Sequence, residues 1–272
     1  MGLETVARSR IVTLTTDFGT ADPYVAAMKG VILTACPSAT VVDISHGVPP
    51  QDVLSGAVVL AEAAAYFPAG TLHVVVVDPG VGTGRGILIA RFGEQHFLFP
   101  DNGVITLIAQ RLPMKAIFSV RNARYLPARE PSRTFHGRDV FAPVAGLVLN
   151  GLDISRLGPQ PDTYKLLDVP PVRQEPDRLI GSVIYVDRFG NLVSNIRESQ
   201  VCGCFPAMER VRVYCGGTEI GPLVGAYGFA EEGHPLALFN SMGAMEIAVN
   251  KGNAREVLGL DVGAEVIVAD VK

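Results

Sequence analysis

The residues best suited to chemistry lie in one stretch, Val74 to Gly86, which reads Val-Val-Val-Val-Asp-Pro-Gly-Val-Gly-Thr-Gly-Arg-Gly. Val74 to Val77 have the β-branched character of a strand buried on both faces. Pro79 cannot continue a central ladder, so the strand is expected to stop at Asp78. Gly80, Gly82, Gly84 and Gly86 follow at alternate positions and allow backbone to come close to a ligand. A carboxylate, Asp78, therefore ends a buried strand, with a guanidinium, Arg85, across a tight loop. Ligands of open α/β sheets bind at that end of the strands. A packed strand followed by a turn, with Asp78 capping a nearby backbone group, would use the same residues. The spacing Gly-x-Gly-x-x-Gly fails here, because Arg85 and Ile87 hold the last position. Gly-x-x-x-x-Gly-Lys-Ser/Thr fails as well, because the loop has no Lys. The glycines are not a dinucleotide or nucleoside triphosphate signature.

Three more loops concentrate polar groups. Thr134-Phe135-His136-Gly137-Arg138-Asp139 precedes an apolar helix expected over Val140 to Asn150, with Gly151 at C′. Asp139 reads as its N-cap, which leaves His136 just outside the helix, facing a pocket or simply packing. Asp187-Arg188-Phe189-Gly190-Asn191 joins two apolar runs and reads first as a hairpin turn. Asn240-Ser241-Met242-Gly243 precedes Glu246; it is not a nucleophile elbow, because Phe239 stands where Gly is needed. No zinc-ligand spacing appears.

The elements that must position these groups follow from periodicity. Ile11 to Thr16 reads as a strand ending at Asp17. Asp22-Pro23 reads as an N-cap with Pro at the first helical position, opening a helix with Val25, Met28, Val31 and Ile32 on one face. Thr40 to Ile44 is a second strand, and Asp52 to Tyr66 a second helix. The β-α-β-α-β order predicts parallel pairing with helices on both faces. Residues 87 to 91 and 96 to 99 read as a hairpin, followed by the turn Phe99 to Gly103 and a short helix at 104 to 111. A proline-rich stretch at 160 to 178 is a linker candidate. Beyond it, Gly181 to Asp187, Leu192 to Ile196, Arg210 to Tyr214, Leu236 to Phe239, Met245 to Val249 and Glu265 to Ala269 are short strand-like runs. They predict an all-β second domain, a small barrel or sandwich. The expected organisation is an α/β domain at 10–165, a linker at 166–179 and an all-β domain at 180–272.

The 272 residues suffice for one large or two modest domains, and 48% hydrophobic with 18% charged residues is a globular composition. A net charge of -4 without a basic run argues against nucleic acid as partner. No stretch approaches the roughly 18 apolar residues of a membrane span. Met1 to Arg10 lacks the apolar core of a signal peptide. Cys36, Cys202, Cys204 and Cys215 show no metal-binding spacing and read as reduced thiols of a cytoplasmic protein.

Seven motifs occur in order: Thr16-Asp17-Phe18-Gly19, Asp43-Ile44-Ser45-His46, Val77-Asp78-Pro79-Gly80-Val81-Gly82, Pro100-Asp101-Asn102-Gly103, Thr134 to Asp139, Asp187 to Asn191, and Asn240 to Gly243. With them the chain resembles the S-adenosyl-L-methionine (SAM) hydroxide adenosyltransferases, the adenosine-forming SAM hydrolases related to the SAM-dependent fluorinase and chlorinase. The resemblance runs from about residue 11 to the end. It implies an α/β N-terminal domain and a β-barrel C-terminal domain. It implies a homotrimer, with SAM held between the N-domain of one subunit and the C-domain of the next. SAM is then a substrate, and no cofactor or metal is implied. The family's Asp-Arg-His set falls on Asp78, Arg85 and His136. The ribose hydroxyls fall to Asp17. Methionine and adenine contacts fall to Asp187, Asn191, Ser241 and Glu246, with Phe229 stacking on adenine. Asp78 and Arg85 mark the hydrolase branch: the halogenases have Tyr at the position of Asp78 and a different loop at Arg85. Met242 stands where the fluorinase has Arg, and Gln51 where the halogenases have Trp. A halogenating transferase and a non-catalytic SAM or adenosine sensor are the alternatives on the same pocket.

Overall fold

The computed structural model describes residues 9–126 and 131–271. Of the stretch Met1 to Arg10, residues 1–8 lie outside the described residues. The chain forms two compact units, Met1–Leu167 and Asp168–Lys272.

The first unit is built on a six-stranded mixed sheet. In chain order it contains β1 (Ile11–Thr16), α1 (Tyr24–Ala35), β2 (Thr40–Ser45), α2 (Val53–Ala64), β3 (Leu72–Val76), β4 (Ile87–Phe92), β5 (Gln95–Pro100), α3 (Thr106–Arg111), β6 (Met114–Ser119) and α4 (Ala142–Leu149). The strands lie in the order β2-β1-β3-β5-β4-β6. β1 pairs in parallel with β2 and β3, and β3 with β5, while β4 is antiparallel to β5 and β6. Thr16 is registered with Val76, so Asp17 and Asp78 leave adjacent strands at the same sheet edge. Strand period 2 sends Val12, Leu14, Val74 and Val76 to one face, where Met28, Ile32, Phe141 and Val144 of the α1 and α4 region close a core. The five residues of β3 are all buried, as a strand covered on both sides must be.

Local details differ from the sequence reading. β3 ends at Val76, with Val77 buried just beyond it. α1 begins after Pro23, which occupies the N-cap position itself, and Asp22 makes no cap. Asp52 does cap α2, accepting from Ser55 N at 2.9 Å. Asp139 is not an N-cap: the chain enters the helix through a π-turn, Gly137–Phe141, which places Asp139 inside the first turn. Its carboxylate instead accepts Ser132 N at 2.8 Å. Gly151 follows the end of α4 with φ +95°, as a C′ residue does.

The second unit contains β7 (Arg173–Gln174), β8 (Arg178–Val186), β9 (Leu192–Arg197), α5 (Glu198–Cys204), β10 (Val211–Cys215), β11 (Thr218–Pro222), β12 (Pro235–Phe239), β13 (Ala244–Val249), α6 (Ala254–Leu258) and β14 (Glu265–Asp270). Its antiparallel sheet runs β11-β10-β14-β8-β9-β13-β12, with β7 beside β8. Leu223 bridges to Ala237 beyond β11, so the sheet nearly closes into a barrel. The interior is filled by Leu179, Val183, Leu192, Ile196, Val213, Met245, Ile247, Val266 and Val268. Near-closure leaves few unpaired strand edges. No helix among the described residues is long and apolar enough to cross a membrane.

Candidate active site

Asp78 begins the glycine loop two residues past β3. Thr83 N and Thr83 Oγ1 both donate to Gly80 O, at 3.2 and 2.7 Å, and curl the loop back. Gly82 has φ +77°, and a Cβ there would lie 2.2 Å from Arg133 O, so this glycine is obligatory on both counts. The curl returns Arg85 to Asp78. Arg85 Nε donates to Oδ1 at 3.0 Å and to Oδ2 at 2.9 Å, and Nη2 also reaches Oδ2. The two side chains are only 4% and 7% exposed, so this is a shielded ion pair and not a surface one.

His136 closes the set. Its Nδ1 lies 2.9 Å from Arg85 Nη2. A guanidinium has donors and no acceptor, so Nδ1 must offer its lone pair, and the ring proton sits on Nε2. Burial, and after it the positive charge of Arg85, holds the His136 imidazole below its ordinary pKa. Asp78 and Asp139 pull the other way and only partly offset this. The ring is thus kept neutral, with one nitrogen committed to Arg85 and an N–H to present.

The turn carrying His136 is docked by aromatic rings. Phe135 meets Phe18 at 5.8 Å and Tyr24 at 5.2 Å between centroids, both edge-to-face. Phe18 follows Asp17, so the same rings tie the Asp17 loop to the His136 turn. A Cβ on Gly137 would stand 3.0 Å from Met28 Sδ and 3.2 Å from Phe135, which explains a glycine beside the histidine. Asp17 Oδ2 accepts Gln51 N at 2.8 Å, and Gln51 adopts φ +66°, rare for a residue with a Cβ.

The second unit gathers its own polar set. Asp187 Oδ1 accepts Phe189 N and Asn191 N at 2.8 and 2.9 Å, and Oδ2 accepts Asn191 Nδ2 at 2.9 Å. Glu246 is buried on β13 and accepts Tyr227 Oη–H at 2.7 Å and Asn240 Nδ2 at 3.2 Å. Burial raises its pKa, and the nearby negative charge of Asp187 adds to this. The same burial, with the Glu246 contact, raises Tyr227. Ser241 is exposed on the Asn240–Gly243 turn, which Asn240 Oδ1 braces by accepting Met242 N at 3.0 Å and Ala244 N at 3.1 Å. Phe229 is 76% exposed on a 3-10 turn, Tyr227–Phe229, that Tyr227 anchors to Glu246. The sequence carries no signal for Tyr227 and marks Asn240 only as the opening residue of the Asn240–Gly243 motif; both hold Glu246. Among the described residues no three His, Cys, Asp or Glu side chains group as metal ligands.

The model of the SAM hydroxide adenosyltransferase N-terminal domain matches residues 12–158, and that of the C-terminal domain matches residues 181–267. The chain belongs to the SAM hydroxide adenosyltransferase family. Among its relatives, the (R)-S-adenosyl-L-methionine hydrolase of Thermus thermophilus is 39% identical over 263 residues, covering 94% of this chain and 98% of the relative. The enzyme of that name from Salinispora tropica is 39% identical over 257 residues, covering 93% and 95%. A fluorinase from an Actinoplanes species is 26% identical over 289 residues, covering 95% and 97%. The crystal structure of an uncharacterised conserved protein from Thermotoga maritima superposes with a TM-score of 0.88 at 37% identity, covering 95% of this chain and 99% of that one.

Proposed function

We propose that this protein hydrolyses S-adenosyl-L-methionine to adenosine and L-methionine. The observation that carries the reading is Asp78 held by Arg85 with the His136 ring on the same guanidinium, on a chain 37–39% identical to named hydrolases and 26% identical to fluorinases.

In SAM the C5′ carbon carries a sulfonium, so the leaving group is a neutral thioether. No acid is needed on that side, and no cofactor is called for. What must be supplied is a water oxygen in line behind C5′. The C5′–O bond forms as the C5′–S bond breaks, and the bonding pair goes to sulfur. The water loses a proton, which passes to Asp78 and on to solvent. Since His136 Nδ1 is committed to Arg85, the histidine serves as a donor through Nε2–H, fixing the water oxygen. Asp78 is then the base. Such a group contributes roughly 10²–10⁴-fold, and the alignment of water adds a proximity effect.

The reading assigns Asp17 to the ribose hydroxyls, and Asp187, Asn191, Ser241, Glu246 and Phe229 to the methionine and adenine parts. A homotrimer in the cytoplasm belongs to the same proposal; the free cysteines are consistent with a reducing compartment. The test is incubation of purified protein with SAM and chromatography of the products. Adenosine and methionine in equal amounts are expected. A 5′-halo-adenosine on adding chloride or fluoride, or binding without methionine release, would refute the proposal.

A further inference from the structure

The glycine loop poses a problem of order. Asp78 opens it, Arg85 nearly ends it, and four glycines lie between Asp78 and Ile87. Glycine gives up more conformational freedom on ordering than any other residue. Yet Arg85 Nε stands at 3.0 and 2.9 Å from the Asp78 oxygens. Something must hold both ends of the loop.

The turn Pro100-Asp101-Asn102-Gly103 does so. Asn102 Nδ2 donates to Val77 O at 2.8 Å, the carbonyl immediately before Asp78. Asn102 Oδ1 accepts Val104 N at 3.1 Å, so both ends of the amide are engaged and its orientation is set. Asp101 N donates to Gly86 O at 2.9 Å, immediately after Arg85. Two adjacent residues of one turn therefore grip the residue before Asp78 and the residue after Arg85. The turn is itself braced from behind, because Asp101 Oδ1 accepts Lys165 N at 2.7 Å. It can reach both ends because β5, which leads into it, lies between β3 and β4, the strands the loop connects.

We infer that Asn102 is a positioning residue whose carboxamide, together with the Asp101 N–H, closes the 77–86 loop so that Asp78 and Arg85 meet. The inference rests on the hydrolase reading insofar as Asp78 and Arg85 are its catalytic groups. The residue type follows from the geometry. Aspartate lacks the donor for Val77 O, and serine, whose hydroxyl can still accept Val104 N, is too short to reach that carbonyl. Loosening the loop swings Arg85 away from Asp78 and from His136 together, while the substrate-binding side chains elsewhere stay in place.

The test compares the wild-type protein with Asn102→Ala and Asn102→Ser. Steady-state kinetics with SAM are one readout. The other is the titration midpoint of His136, followed by NMR on protein with 13C-labelled histidine, the resonance being assigned by its loss in His136→Gln. A fall in kcat of about tenfold to a hundredfold is expected, with KM moved by no more than about threefold. The His136 midpoint should rise toward its ordinary value in both variants as the guanidinium withdraws. If Asn102→Ala does not fold, Asn102→Ser, which keeps the Val104 contact, decides. An unmoved His136 midpoint overturns the inference, and so does a rise in KM at unchanged kcat. A wild-type protein that releases no methionine defeats the hydrolase reading, and the His136 midpoint then decides the clamp alone.

Discussion

Arg85 Nη2 lies 2.9 Å from His136 Nδ1 and also reaches Asp78 Oδ2, while Nε of the same guanidinium donates to both Asp78 oxygens. The arginine thus serves two residues at once. It orients the aspartate through Nε and fixes the tautomer of the histidine through Nη2. Protonating Nδ1 would set two cationic groups against each other beside a shielded ion pair. The neutral ring is the form this arrangement supports.

The pH dependence of kcat follows. The folded-state pKa of His136 is lowered by burial and by Arg85. Protonation breaks the contact with Arg85, so activity is full above the His136 midpoint and lost as pH falls through it. The acid limb of the kcat profile should therefore have its midpoint below the ordinary imidazole value of about 6.5. A limb at or above that value would contradict the role given to this ring.

Asp78→Asn removes the proposed base but keeps an oxygen facing Arg85. Turnover should drop by roughly 10²–10⁴-fold, with SAM affinity by calorimetry little changed. Arg85 would then be buried beside a neutral group, so the thermal midpoint should fall too. Wild-type turnover in this variant would remove Asp78 from the mechanism.

Gly82 and Gly84 occupy the same loop and should respond unequally to alanine. At Gly82 the new Cβ meets Arg133 O at 2.2 Å and the backbone has φ +77°, whereas at Gly84 nothing lies within 4 Å. Gly82→Ala should cost more than about 1 kcal/mol of stability and most of the activity. Gly84→Ala should be close to neutral. Equal thermal midpoints for the two variants would show that the loop is not held as described.

His73 offers a separate test in the core. It is wholly buried, stacked on Phe97 at 4.9 Å, with Nδ1 2.8 Å from Thr13 Oγ1, and burial lowers its pKa to about 4. Between about 6.5 and about 4 the unfolded chain binds a proton that the folded one refuses, so stability falls as pH drops through that window. The full effect approaches about 3 kcal/mol. Urea unfolding across the window should show this slope in the wild type and a shallower one in His73→Phe. Parallel slopes would contradict it.

Much of the first unit could be read from its strands, because β-branched runs such as Val74 to Val77 leave few alternatives. β6 escaped notice, since Met114 and Lys115 are exposed and blur its pattern. β11 did too, being five residues with Gly221 and Pro222 at its end. Asp139 misled because N-cap preference assumes an α-helical first turn, and here the entry is a π-turn. Asp78 and Arg85 are seven residues apart and His136 is 51 beyond Arg85, so no local period joins them. Only the ordered set of motifs pointed to the trio. The work of Asn102 was invisible for a different reason: it depends on β5 lying next to β3, a fact of sheet order that spacing does not encode.

The central claim, water delivered to C5′, is tested most directly by turnover of SAM in water enriched in oxygen-18, with mass spectrometry of both products. The account predicts the label in the 5′-hydroxyl of adenosine and none in methionine. Adenosine without the label would contradict it.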